Sequence, residues 1–121
     1  MNAPATLHAE RRGDHVVVAL HGELDVFNAT DMSRSIEAAV PPDAHGAVLD
    51  LTGLDFVDSS AIRKLFGIVA RLTERRQRVH VVSPAGSAVL RTLELVEFSR
   101  AAPMHDTLDD AIAGLDDRSS N

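Results

Sequence analysis

Asp58-Ser59-Ser60 places a carboxylate and two hydroxyls side by side, just ahead of a long amphipathic stretch. At the mouth of a helix the first backbone N–H groups have no partner within the helix, and the positive end of the dipole is exposed. An anion set there is stabilised, and a phosphate is a suitable one. A serine in that position is a neutral alcohol whose phosphate ester would meet a favourable local field. Asp and Ser at a helix start are also ordinary caps. On residue types alone, both readings stand for Asp58 and Ser59.

The residues for catalysis by this chain alone are missing. A serine hydrolase needs a base and an oxyanion hole around its nucleophile. The six histidines (His8, His15, His21, His45, His80 and His105) are scattered over strands and loops, with no spacing that pairs one with Ser59. There is no Gly-x-Ser-x-Gly elbow, His-x-x-x-His metal pair, phosphate-binding loop or dinucleotide glycine pattern. Asp55 and Asp58, three residues apart, have no second acidic cluster to work with and read as loop solvation and capping. No catalytic residue, metal ligand or cofactor is therefore assigned, and the expectation is a protein that binds rather than one that turns over substrate.

Something must position the serine. Ser59 to about Arg76 reads as a helix: Ile62, Leu65, Phe66, Val69 and Leu72 recur at helical spacing as a core stripe, widened by Ala61 and Ile68. Ahead of it, Ala47–Leu51 is a short apolar run that fits a central strand covered on both faces. His15–His21 is a second, β-branched strand ended by Gly22, and Ala5–Arg11 is an edge strand that pairs with it through a turn at 12–14. Ala29–Val40 reads as a helix capped by Asn28 or Thr30 and stopped by Pro41-Pro42. Val79–Val82 is a strand ended by Ser83-Pro84, and Ser87–Leu95 a helix with Leu90 and Leu93 inward, joined by Val89 or Val96. Phe98–Ala102 reads as a last strand, and Leu108–Leu115 as a final helix capped from Asp106-Thr107.

This alternation predicts an α/β fold: one domain over 7–115, a small mixed sheet packed against about four helices. Residues 1–6 are expected to be a flexible segment and 116–121 a polar tail. At 121 residues with 45% hydrophobic content the chain can bury one core, which excludes wholesale disorder. A net charge of −6 argues against a general nucleic-acid binder. The longest apolar runs are strand-length, so no membrane insertion is expected. The first residues do not resemble a signal peptide and there is no cysteine, so a cytoplasmic location is expected.

Three segments together resemble a known family. They are Gly22-Glu23-Leu24-Asp25 after a Val-rich strand, Val48-Leu49-Asp50-Leu51 running on to Phe56-Val57-Asp58-Ser59-Ser60, and Val81-Val82-Ser83-Pro84. The pattern is similar to the STAS domain, and more closely to bacterial anti-sigma factor antagonists, over about Leu7 to Leu115. The resemblance implies a binding activity: the unphosphorylated antagonist captures an anti-sigma factor and frees a sigma factor for transcription. The anti-sigma factor is in that family also an ATP-dependent serine kinase, whose target corresponds to Ser59, and a metal-dependent, PP2C-type serine phosphatase reverses the modification. Asp25 corresponds to an acidic position near the kinase contact. The partner surface implied comprises Asp25, Asp58, Ser59, Ser60, Arg63 and Ser83, with Lys64 able to contribute. The family usually carries Gly after Asp-Ser-Ser; Ala61 here would add a methyl where a partner's backbone approaches. A second reading within the same resemblance is a non-phosphorylated accessory subunit of an ABC-type transporter, or a scaffold in a sensory complex.

Overall fold

The computed structural model describes residues 4–117. Five strands form one mixed sheet in the order β1-β2-β3-β4-β5. β1 (Thr6–Arg12) and β2 (His15–Leu24) are an antiparallel hairpin. β3 (Gly46–Val57), β4 (Arg78–Val82) and β5 (Met104–His105) follow in parallel. The connections carry α1 (Ala29–Ala39), α2 (Ser59–Glu74) and α3 (Ala88–Leu95), and α4 (Leu108–Asp116) closes the chain. This is the α/β architecture expected from the alternation of patterns.

The sheet has a thick and a thin side. Val16, Val18 and Leu20 of β2, with Ala47, Leu49 and Leu51 of β3 and Val79 and Val81 of β4, face the main core. There they meet Ile36 of α1, Leu65, Ile68 and Leu72 of α2, and Val89 and Leu93 of α3. The alternate residues Val17, Val48 and Val82 face the other way, under Ala111 and Leu115 of α4. Burial on both faces explains why these strands read as unbroken apolar runs. Residues 1–3 and 118–121, parts of the expected flexible ends, lie outside the described residues; Thr6 already belongs to β1, and Asp116 belongs to α4.

Three expectations are corrected. β2 does not end at Gly22. It continues to Leu24 through irregular pairing near Gly22, whose φ of 96° is open to glycine and strained for other residues. β3 does not end at Leu51 but runs on to Val57, paired with β2 as far as Leu24↔Val57. The third concerns Phe98–Ala102, which is not a strand. Glu97 adopts a left-handed φ of 55°, and Phe98–Arg100 form a single 3₁₀ turn. The buried residues there are Phe98 and Ala102, four apart, a helical rather than a two-residue spacing. The last strand is the two-residue β5 instead. Along α2 the buried line is Ala61, Leu65, Ile68, Val69 and Leu72, with Ile62 and Phe66 half-buried on its flank.

Under α4 two imidazoles meet. His80 Nδ1 and His105 Nε2 are 2.8 Å apart, with ring planes 9° apart and centroids at 5.0 Å. Two nearly parallel rings that far apart, joined by one short N···N contact, are linked edge to edge by an N–H···N hydrogen bond. Gly114 lets α4 settle on the pair, since a Cβ there would lie 2.9 Å from His80. Burial, then the neighbouring His105, Arg78 and His15, lower the His80 pKa from 6.5 to about 4. The unfolded chain thus binds a proton near pH 6.5 that the fold refuses until about pH 4. The His80 contribution is complete above pH 6.5 and is lost as pH falls through that window, up to about 3 kcal/mol in all. Urea unfolding at pH 7 and pH 4.5 measures this: His80→Gln is expected to flatten the loss of stability, and an unchanged slope would count against it.

Candidate docking site at the start of the second helix

β3 pairs with β4 only over Gly46–Asp50, but with β2 as far as Val57. The β2–β3 ribbon therefore projects past its neighbour, and the serine motif stands at its tip. Val57 is buried, Asp58 follows directly as the N-cap of α2, and Ser59 is the first helical residue. No loop separates strand from helix, which leaves the motif little freedom.

The Asp58 carboxylate serves two segments. One oxygen accepts from the Ala61 N–H at 2.9 Å, the capping bond. The other accepts from the Val26 N–H at 2.9 Å, in the β2–α1 connection. The Asp58 N–H also donates to the Leu24 carbonyl at 3.2 Å. Of the two readings open for Asp58, capping is thus realised, together with a cross-link that sequence did not suggest. Asp58→Ala removes both bonds and is expected to lower stability by about 1–2 kcal/mol, read as a shifted denaturant midpoint at unchanged m; an unshifted midpoint would show the cap to be idle.

Ser59 itself is exposed and Ser60 half-buried. Among the described residues no hydrogen bond to either backbone N–H is found. The site therefore offers an accessible neutral hydroxyl beside unpaired amides at the positive end of a 16-residue helix. Arg63, four residues on and so on the same side of α2, is exposed, and Lys64 is half-buried.

Asp25 is brought to the same end of the sheet, where it organises its own turn. One carboxylate oxygen accepts from the Phe27 N–H at 2.9 Å and the Asn28 N–H at 3.3 Å. Asn28 stands at the N-cap of α1 without making a capping bond. Its side chain accepts from the Asp25 N–H and donates to the Glu23 carbonyl instead.

Two other expectations about the site need correction. Ser83 is 2% exposed and its hydroxyl has no partner, so in this conformation it is closed to a docking protein. The Ala61 methyl belongs to a fully buried residue of the main core. It faces inward, so Ala in place of the family's usual Gly adds packing rather than an obstacle to a partner. What sequence reasoning missed is the pair Val26-Phe27, 58% and 92% exposed, beside the Asp58 cross-link. The available signal was two apolar residues between Asp25 and Asn28, outside the α1 periodicity.

Ser59 lines neither of two clefts of about 550 and 510 Å³ found among the described residues. The larger, about 550 Å³, lies where β2, β3 and β4 begin, between His15, His45, Arg75, Arg76 and Arg78 and the carboxylates Asp14, Asp43 and Asp116. It is at the opposite end of the parallel strands from the serine. A projecting hydroxyl outside a cleft suits contact with a macromolecular surface better than enclosure of a small substrate.

These features define a single-domain α/β module with an accessible serine at a helix mouth. The STAS domain model matches residues 6–111, and the chain belongs to that family. An anti-sigma factor antagonist from Mycobacterium paratuberculosis is similar in structure at a TM-score of 0.82 and 27% identity, covering 97% of this chain and 100% of that one. An anti-sigma factor antagonist (STAS) domain protein from Planctomyces limnophilus matches at a TM-score of 0.74 and 17% identity, over 90% and 97% of the two chains. A sulfate transporter family protein from Wolinella succinogenes shares the fold at a TM-score of 0.73 and 13% identity, over 88% of each chain. No curated protein sequence matches significantly. The resemblance to STAS-domain anti-sigma factor antagonists is borne out. No described helix is long and apolar enough to cross a membrane.

Proposed function

We propose that this chain is a cytoplasmic anti-sigma factor antagonist. Unphosphorylated, it docks on an anti-sigma factor through the surface around Ser59, and the sigma factor that partner held is released. Its partner is also a serine kinase: the Ser59 Oγ attacks the γ-phosphorus of ATP, the bond to the β-phosphate oxygen breaks, ADP leaves, and the hydroxyl proton passes to a base on the kinase. A PP2C-type phosphatase hydrolyses the ester and resets the module. The observation that carries this reading is the exposed Ser59 hydroxyl on the first turn of α2, held by the Asp58 cap with no loop between strand and helix.

Modification suits the fold. The ester adds about −1.5 to −2 charge units where the helix dipole accepts them. The same charge opposes binding, because a kinase presenting nucleotide phosphates to the hydroxyl has no room for a further phosphate. Asp25, Asp58, Ser60 and Arg63 are the further docking contacts on this reading; Asp25 and Asp58 act chiefly by shaping the turn and the cap. The test is incubation with the anti-sigma factor kinases of the source organism and ATP, followed by mass spectrometry of the peptide holding Ser59 and Ser60. One phosphate on Ser59 is expected, and a chain left unmodified by every kinase that binds it would refute the kinase step. The structural likeness to a sulfate transporter family protein keeps a transporter-accessory role as the second reading; it predicts binding that is indifferent to Ser59.

A further inference from the structure

Resting on that reading, we propose that Phe27, with Val26, is the apolar anchor of the docking surface, and that it fills an apolar pocket rimmed by basic side chains on the partner protein. Phe27 is 92% exposed and Val26 58%. Solvent-facing apolar side chains on a loop would be unremarkable if the loop were loosely held. This one is tied down on every side. The Phe27 and Asn28 amides bond to the Asp25 carboxylate, the Asp25 amide to the Asn28 side chain, that side chain to the Glu23 carbonyl, and the Val26 amide to Asp58. A network of side-chain hydrogen bonds whose product is two apolar groups held out in water is the signature of a preorganised contact: little ordering remains to be done when the partner arrives.

The location decides the occupant. The carboxylate that caps the helix of Ser59 also holds Val26, so the knuckle and the hydroxyl are parts of one surface. Segments 23–31 and 55–60 carry Glu23, Asp25, Asp31, Asp55 and Asp58 and no basic residue. Arg34 pairs with Asp31 and Arg63 lies one turn into α2, so the face is acidic only in balance, and an apolar tip on it calls for an apolar socket with a basic rim. A second copy of this chain would set two net acidic faces against each other, which disfavours self-association through this surface. Asp58 acts here as a positioning residue, joining the state of the helix start to the pose of Phe27.

The experiment measures binding of the anti-sigma factor kinase by titration calorimetry for wild type, Phe27→Ala, Asp58→Asn and, as a control at the far end of α3, Leu95→Ala, with the melting temperature of each. Leu95 is 84% exposed. Phe27→Ala is expected to weaken binding about thirty-fold or more without a lower melting temperature, and added salt to weaken wild-type binding further. Leu95→Ala should match wild type. Asp58→Asn keeps a capping oxygen but presents an amide in place of the second acceptor. It should speed hydrogen exchange at the Val26 amide and weaken binding while leaving the melting temperature within a few degrees. If wild type binds the kinase and Phe27→Ala binds equally well, the anchor is refuted while the proposed function survives. If wild type binds no anti-sigma factor, the function fails and the anchor with it. A Val26 amide that exchanges as in an unstructured peptide would show that the loop is not held. A wild-type dimer that Phe27→Ala dissociates in sedimentation would assign the knuckle to self-contact and overturn the proposal.

Discussion

Ser59→Asp is expected to weaken binding of the anti-sigma factor by a hundred-fold or more, about 2.7 kcal/mol, whereas Ser59→Ala stays within about three-fold of wild type. The hydroxyl is exposed, so removing it strands no buried partner, and the interface loses one small polar contact. A carboxylate there must be stripped of water against a surface shaped to bring a nucleotide phosphate up to an alcohol, and an unpaired desolvated charge is costly. Stability should barely change, because an acidic residue in the first turn of a helix is electrostatically favourable. Calorimetric titration paired with thermal melts separates the two effects. Loss of folding in Ser59→Asp would mean that the charge is not tolerated locally, and equal affinities for the two variants would remove the switch.

The largest expected effect on stability comes from Phe98→Ala, about 3–5 kcal/mol, a large share of the total for a domain of this size. Phe98 is 1% exposed and its ring centroid lies 4.6 Å from that of Phe66, tilted by 51°. Both rings belong to the thick side of the sheet. Truncation removes an aromatic pair and leaves a cavity at the seam between α2 and the chain entering β5. Denaturant unfolding of wild type and variant gives the value. A loss below about 1 kcal/mol would mean that the seam collapses around the missing ring or is not part of the cooperative core.

Phe98 also shows where sequence legibility stops. The β-branched runs at 16–18 and 79–82 and the helical spacing from Ala61 to Leu72 announce their elements, because packing on a sheet face or helix face imposes a period. The Phe98 turn imposes none: its shape comes from a left-handed Glu97 and a pocket made by residues distant in sequence. Strand ends were lost similarly. Gly22 looks like a terminator, yet it sits in paired strand at a positive φ, and β3 runs on past Leu51 through Gly53, which lies against the His21 ring. At the site, Asp58-Ser59-Ser60 and Gly22-Glu23-Leu24-Asp25 could be picked out as motifs and their nearness follows from the fold. The bond from Val26 to Asp58 spans 32 residues and could not be read from either motif. Ser83 was expected on the partner surface only through the resemblance, and nothing in Ser83-Pro84 itself announced that the chain buries it.

The most direct test uses the chain itself carrying a phosphate on Ser59, prepared to full occupancy and titrated against the anti-sigma factor alongside the unmodified form. The account predicts tight one-to-one binding for the unmodified chain and a loss of a hundred-fold or more for the phosphorylated one, both equally folded. Affinities within three-fold of each other would contradict it.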